Sequence, residues 1–264
     1  MKHLNLSEIH YGNEEKRENP LFFSILENWD RNGLDLYSDG YLDILLIRGG
    51  KAVIRGDIKN VSSVASFLKD KEWSSIAGSR ENIKAISQNI PGVSEENRHL
   101  MLLTRGTFRK TDRNEKLKVL RTERDFIDLF RLYRNIPEMK EGFGKRNDED
   151  NAERFLSSPF PFTAVGLYED DKLVSGAYLG RVTRKTAFVV GVATEIRYRG
   201  RGYAKAVVSE LADISLNENM MESLMLWYSS DKAGDIYRAL GFEDIEDIVY
   251  ARRVNNEVRQ SPDR

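Results

Sequence analysis

Apolar positions along the chain recur with two periods, three to four residues in some stretches and two or none in others, with polar or glycine-rich breaks between them. In "NPLFFSILENWDRNG", Leu21, Phe22, Ile25, Leu26 and Trp29 share one helical face. Asn19 can cap this helix, Pro20 stands at its first position, and Gly33 follows its end. "YLDILLIRGGKAVIRGD" reads as two strands around Gly49-Gly50, a hairpin signal. A helix follows in "NVSSVASFLKDKE", with Asn60 as its candidate cap, then a short strand, "WSSIAGS". "RENIKAISQNI" predicts a helix stopped by Pro91-Gly92, and "HLMLLTRGTF" another strand. Residues 1–18 are polar and are expected to be loosely held.

"RKTDRNEK", residues 109–116, is the most polar stretch of the middle of the chain. It places a boundary there, with one domain over 1–110, a second over 111–253 and a polar tail over 254–264. The second domain opens with a short strand, "LKVLR". A helix follows in "TERDFIDLFRLYRNIP", with Thr122 and Asp125 spaced as a capping box. "NDEDNAERFLSS" predicts a second helix. Two strands then join at Asp170-Asp171, and "TAFVVGVAT" is a third. After a glycine-rich loop come a helix to about residue 216, the strand "ESLMLWYS", a helix over 231–240, Gly241 and the strand "DIVYARR". Both halves run helix, hairpin, helix, strand, helix, strand, without a residue-by-residue repeat. This order predicts an α/β (α+β) fold built twice in tandem.

Composition narrows the function classes. With 41 basic and 42 acidic residues and a net charge of -1, the chain has no global pull toward nucleic acid or an anionic membrane. It has no cysteine, which removes disulfides, thiol nucleophiles and thiolate metal sites and suits a reducing cytoplasm. His3, His10 and His99 are the only histidines, and none stands in metal-ligand spacing with another. The N-terminus has no apolar signal-peptide core, and no apolar run approaches a membrane span. The expectation is a cytoplasmic protein, a monomer or a homodimer, with no nucleic-acid or membrane partner and no metal.

The most informative stretch is "YRGRGYAKAVV", residues 198–208. An apolar strand feeds a loop with Gly200 and Gly202, and a helix opens directly after it, with Ala204, Val207, Val208 and Leu211 at helical spacing. Such a junction aims several backbone N–H groups and the positive end of a helix dipole at one point. The glycines permit close backbone approach, and Arg199 and Arg201 can add charge for a phosphate. On its own the stretch reads as readily as a flexible turn. Nucleic-acid-binding glycine-arginine segments are longer, repeated and disordered, whereas this one is single and lies between regular elements. A Rossmann loop would want three spaced glycines early in a βαβ unit, with an acidic residue ~20 positions on.

"VATEIRYRGRGYAKAVV" resembles the acetyl-coenzyme A signature of the GNAT superfamily of N-acyltransferases, with Arg199, Gly202 and Ala204 on the pattern and Tyr198 at its aromatic position. "LMLWYSSDKAGDIYRALGF" resembles the family's late strand and helix, with Tyr237, Gly241 and Phe242 in the expected spacing. The resemblance covers residues 116–253 or so. The first half looks like a divergent GNAT-like domain; its "IRGDIKN" at 54–60 is too poor in glycine for a cofactor loop. Where the family usually has asparagine, this chain has Ser230.

The resemblance implies a mixed, mainly antiparallel sheet flanked by helices. It also implies direct transfer of an acetyl group from acetyl-CoA to a primary amine of a small molecule, in a ternary complex. The backbone of Arg199, Gly200, Arg201, Gly202, Tyr203 and Ala204 would hold the pyrophosphate. Val192, Ala193 and Thr194 would present amides to pantetheine and to the thioester carbonyl, with Ser230 a further cofactor contact. Tyr237 would protonate the departing thiolate. Glu195, just past the strand, is the candidate base, although a solvated surface role suits it equally and a water chain could replace it. Glu138, Glu141 and Phe143, in "IPEMKEGFG", are candidates for the acceptor pocket. The alternatives are a non-catalytic acyl-CoA binder or sensor, and an enzyme acylating a protein or peptide.

Overall fold

The computed structural model describes residues 1–5, 11–12, 15, 19–26, 33–47, 50–112, 116–139, 147–157, 163–180 and 185–253. The chain divides into two compact units, Met1–His99 together with the chain from Glu246 on, and Leu100–Ile245.

In the first unit, β1 (Lys2–Leu4), β2 (Leu34–Ser38), β3 (Leu42–Ile47) and β4 (Lys51–Gly56) form an antiparallel series. The helix α1 (Pro20–Leu26) precedes β2. From β4 the chain crosses through α2 (Val61–Lys69) to β5 (Ser75–Ser79), which pairs parallel to β4, and continues into α3 (Arg80–Asn89). Asn60 caps α2 by accepting from the Ser63 N–H at 3.0 Å. Leu42, Ile44, Leu68, Ile76, Ile83 and Ile86 form the buried centre.

Two sequence expectations change here. The N-terminus is not all loose, because β1 pairs antiparallel with β2 from Lys2↔Ser38 to Leu4↔Leu36. The last strand, β12 (Glu243–Arg253), is not confined to the second unit: from Ile248↔Ser79 to Arg252↔Ser75 it pairs antiparallel with β5. The division therefore falls at residues 99/100 rather than 110/111, and the chain from Glu246 returns to the first unit.

In the second unit the strand order is β6 (Val93–Thr104), β11 (Ser223–Tyr228), β10 (Thr186–Thr194), β9 (Lys172–Gly180), β8 (Ala164–Glu169), β7 (Leu117–Val119). Strands β7 to β10 are antiparallel, and β10 and β11 are parallel. The helices are α4 (Glu123–Arg134), α5 (Asp148–Leu156), α6 (Tyr203–Asp213) and α7 (Asp231–Ala239). At α4 the capping box is complete: Asp125 N–H donates to Thr122 Oγ1 and Thr122 N–H to Asp125 Oδ2. Val207, Val208 and Leu211 of α6 join one apolar cluster with Val165, Val174 and Val189. Phe126, Leu129 and Tyr133 of α4 join another with Ala164, Leu173 and Ala193. The mixed, mainly antiparallel architecture expected from the sequence is present. No helix among the described residues is long and apolar enough to cross a membrane.

Candidate active site

The site begins where two parallel strands part. β10 and β11 are in register at Thr186↔Ser223, Ala187↔Leu224 and Phe188↔Met225, and their pairing stops there. β10 runs on to Thr194. On its other edge β10 stays with β9, but the register shifts between Val190↔Tyr178 and Ala193↔Gly176. Two residues of β10, Gly191 and Val192, thus stand opposite one of β9, Ala177, which is a β-bulge. Gly191 has φ of 66°. A Cβ there would lie 2.5 Å from the Tyr133 hydroxyl, so the backbone passes closer to Tyr133 than a side chain allows. Beyond the bulge, Ser175 and Thr194 are buried.

The chain leaves β10 through a single 3₁₀ turn, Ile196–Tyr198, and enters α6 by two left-handed glycines, Gly200 (φ 80°) and Gly202 (φ 79°). A Cβ on either would meet no atom within 4 Å. The loop thus faces open space, and its glycines are needed for conformation rather than for internal packing. Gly202 is the N-cap of α6 and offers no side-chain cap. The N–H groups of Gly200, Arg201 and Gly202 meet no backbone acceptor among the described residues, and the first-turn N–H groups of α6 lie beyond intrahelical reach. The Arg199 N–H is engaged, donating to Ile196 O at 3.3 Å, so the cradle starts at Gly200.

The side chains around the loop are tied down. Arg199 Nε donates to Thr194 O at 3.1 Å, fastening the loop to the end of β10. Arg201 stacks over Tyr198, its Cζ 5.1 Å from the ring centroid, and Tyr198 stacks on Tyr203. The Tyr203 hydroxyl donates to Glu169, whose other oxygen takes Lys116 Nζ at 2.5 Å. These contacts hold the first turn of α6 against β8. Across the cleft, Tyr237 of α7 is 7% exposed and packs between Tyr228 and Phe242. Its hydroxyl makes no hydrogen bond among the described residues, and burial pushes its pKa up to about 12.

Residues 125–242 match the model of the acetyltransferase (GNAT) family. The second unit is a GNAT acetyltransferase domain. No curated protein sequence matches the chain. Among solved structures, a GCN5-related N-acetyltransferase from Kribbella flavida is similar at TM-score 0.65 and 16% identity, over 91% of this chain and 97% of that one. A Drosophila protein is similar at TM-score 0.66 and 10% identity, over 97% and 98%. A tandem GNAT protein of the clavulanic acid biosynthesis pathway is similar at TM-score 0.54 and 9% identity, over 91% and 88%. At these identities the likeness is one of fold.

Within the GNAT domain, the candidate residues divide by position. Val192, Ala193 and Thr194 edge the parted strands, and Gly200, Arg201, Gly202, Tyr203 and Ala204 form the cradle and the first turn of α6. Ser230 is the N-cap of α7, its Oγ accepting from the Ala233 N–H at 3.4 Å. Glu195 is ion-paired with Lys172 at 2.5 Å. Glu138 does not stand free in a pocket: it pairs with Arg199, which holds its carboxyl below the usual range. Glu141 and Phe143 lie outside the described residues. Sequence reasoning missed Ser175, which hydrogen-bonds Thr194 from the adjacent strand. No local motif marks it; only the strand register reveals it.

The first unit contains the same topological element without its cradle. β4 and β5 are parallel and pair only through Val53↔Ala77. Asn82 reaches into the point of parting: its Nδ2 donates to Gly56 O at 2.7 Å, and its Oδ1 accepts from the Ile58 N–H at 3.3 Å. The Ile54 side chain lies against Gly78. Asn60 takes up the N-terminus of α2 with its own side chain. The position that is open at β10 and β11 is thus filled by the chain itself at β4 and β5.

Proposed function

We propose that the GNAT domain transfers an acetyl group from acetyl-CoA to a primary amine of a small molecule, by direct attack in a ternary complex. The observation that carries this reading is the parting of β10 from β11 beside an open glycine cradle. The residues present fit the cofactor. Backbone N–H groups from Gly200 into α6 suit a pyrophosphate, since the helix dipole adds positive charge there and a Cβ at either glycine would stand in the space the anion needs. Acetyl-CoA, when bound, supplies the thioester. The edge of β10 from Val192 to Thr194 donates amides to pantetheine and to the carbonyl. Tyr237, protonated at neutral pH and with its hydroxyl uncommitted among the described residues, gives its proton to the departing thiolate.

Glu195 lies at the end of β10, but the Lys172 ammonium occupies its carboxylate. We assign the proton from the attacking ammonium to Glu195 through water, with Lys172 holding the carboxylate in place. The first unit, with Asn82 in its cleft, is assigned no cofactor. The chain therefore takes up one acetyl-CoA.

Calorimetric titration with acetyl-CoA tests this, on the wild-type chain and on Gly202→Glu. Micromolar binding with a stoichiometry of one per chain, abolished in the variant, supports the reading. Absence of binding to wild type overturns it. A panel of small amines with thiol detection then identifies the acceptor.

A further inference from the structure

The first unit holds a cavity of about 840 Å³ that the reaction proposed above does not use. It lies at the start of the parallel strand pair. Gly50 and Ser74, both in its lining, directly precede β4 and β5, which are in register from Lys51↔Ser75. The two strands part at their other end, beyond Val53↔Ala77, where Asn82 fills the gap. The cavity is therefore not a remnant of a cofactor cleft. Its size falls within the range of small-molecule sites, about 300–1,000 Å³.

One backbone carbonyl gathers the polar wall. Leu68 O, in the last turn of α2, accepts from the Lys71 N–H at 3.4 Å, from Trp73 Nε1 at 2.8 Å and from Arg253 Nη2 at 3.1 Å. The Arg253 guanidinium lies over the Trp73 ring, its Cζ 4.3 Å from the centroid. Lys71 Nζ donates to the Tyr37 hydroxyl at 3.2 Å and stands 4.6 Å from that ring's centroid. A helix C-terminus attracts cations. Here it takes one nitrogen of Arg253 and none of the Lys71 side chain, so it does not account for both charges. Among the described residues neither cation is ion-paired, and Arg253 Nε and Nη1 make no hydrogen bond. The Tyr37 hydroxyl, accepting from Lys71, keeps its own proton to donate. Both cations are half-buried, whereas the two carboxylates of the lining, Asp35 and Glu72, are exposed, and Asp35 takes His3 at 3.2 Å. Leu34, Leu46 and Ile47 supply apolar surface.

We infer that this cavity is a second ligand site, for a small organic anion: a carboxylate or phosphate group on a flat apolar body. The anionic group takes Lys71, Arg253 and the Tyr37 hydroxyl through charge-assisted hydrogen bonds. A planar guanidinium suits the paired oxygens of either group. The apolar body lies against Leu46 and Ile47. The inference does not rest on the acetyl-CoA reading. It gives the unit without a cofactor cradle a ligand of its own.

Nuclear magnetic resonance of the full chain reads the site through the Trp73 indole N–H. The chain has 3 tryptophans, and Trp29→Phe and Trp227→Phe assign the Trp73 signal by elimination. Phenyl phosphate and benzoate are the probes, and their relative affinity tells whether phosphate or carboxylate is preferred. At least one of them is expected to shift the Trp73 signal along a saturating curve, with a dissociation constant of about a millimolar or below. Benzylamine, the same ring with a positive charge, is expected to leave the signal in place. Lys71→Glu, which leaves the Trp73 and Arg253 bonds to Leu68 O untouched, is expected to weaken anion binding by more than about tenfold. Lys71→Gln, expected to weaken it less, decides the matter if the glutamate variant does not fold. A Trp73 signal that neither anion shifts overturns the proposal. So does an equal response to benzylamine, which gives the cavity to cations, and so does undiminished anion binding by the Lys71 variants. Inorganic phosphate that binds as tightly as phenyl phosphate also overturns it and leaves an adventitious ion only.

Discussion

Arg199 joins Thr194 to Glu138. Its Nε donates to the Thr194 carbonyl, and its two terminal nitrogens reach the two oxygens of Glu138 at 3.1 and 3.4 Å. The pair sets a carboxylate beside the cradle proposed to hold a pyrophosphate. Like charges at that range repel, and the site is exposed enough for salt to screen them. Glu138→Gln is therefore expected to tighten acetyl-CoA binding by about two- to tenfold at low ionic strength, with the gain shrinking as salt rises. Titration calorimetry at two salt concentrations measures it; unchanged affinity at low salt places the phosphates away from Arg199.

The two glycines of the loop are expected to separate conformation from ligand binding. Both sit near φ 80°, where an L-residue costs about 1–2 kcal/mol, and neither would clash. Gly200→Ala and Gly202→Ala should each lower stability by about that amount, yet weaken acetyl-CoA binding by more than about tenfold, because the added methyl enters the ligand space. Denaturant unfolding alongside calorimetry distinguishes the two effects.

Tyr237 tests the acid. Its ring fills a place between Tyr228 and Phe242, while its hydroxyl has no partner among the described residues. Tyr237→Phe keeps the ring and should change stability by less than about 0.5 kcal/mol. Once the acceptor is found, turnover should fall by about a hundredfold, with acetyl-CoA affinity nearly unchanged. Full activity in this variant would assign the proton to solvent.

Local chemistry made much of the second unit legible. The Thr122–Asp125 box, the turn at Asp170-Asp171 and the loop from Arg199 to Ala204 are each written within a few residues. What stayed hidden depends on distance along the chain. The pairing of β12 with β5 joins Ile248 to Ser79, and no periodicity in "DIVYARR" says which strand it pairs with. In the sequence Glu138 points to the acceptor and Arg199 to the cofactor, and only the fold brings them together. Ser230, which stands where the resembled family has asparagine, caps α7 by accepting from the Ala233 N–H, a role that its place before Asp231 already permits.

The filled cleft of the first unit makes its own prediction. Asn82 is 6% exposed and satisfies both Gly56 O and the Ile58 N–H. Asn82→Ala strands two backbone groups in a poorly hydrated place and should cost about 1–3 kcal/mol. It should not create a second cofactor site, because the α2 N-terminus remains capped by Asn60. Thermal denaturation reads the first effect and the calorimetric stoichiometry the second; two molecules of acetyl-CoA bound per variant chain would show that Asn82 alone keeps the cofactor out.

Asp125 gives the GNAT domain an acid-sensitive point. Its side chain is 3% exposed, and burial alone would raise its pKa. The backbone N–H groups of Arg121 and Thr122, both at 3.0 Å, and the Lys118 ammonium at 2.5 Å outweigh burial and hold the carboxyl well below the ordinary range. The folded protein thus binds this proton less readily than the unfolded chain does. The stabilisation is complete above the unfolded value near pH ~4 and is lost as pH falls through the folded value. Asp125→Asn, which keeps the shape but not the charge, should unfold at lower temperature than wild type at neutral pH, by an amount equivalent to about 1–3 kcal/mol. The gap should close as pH falls below about 4. A gap that stays constant down to pH ~2 would mean that the amide loses packing or geometry rather than charge.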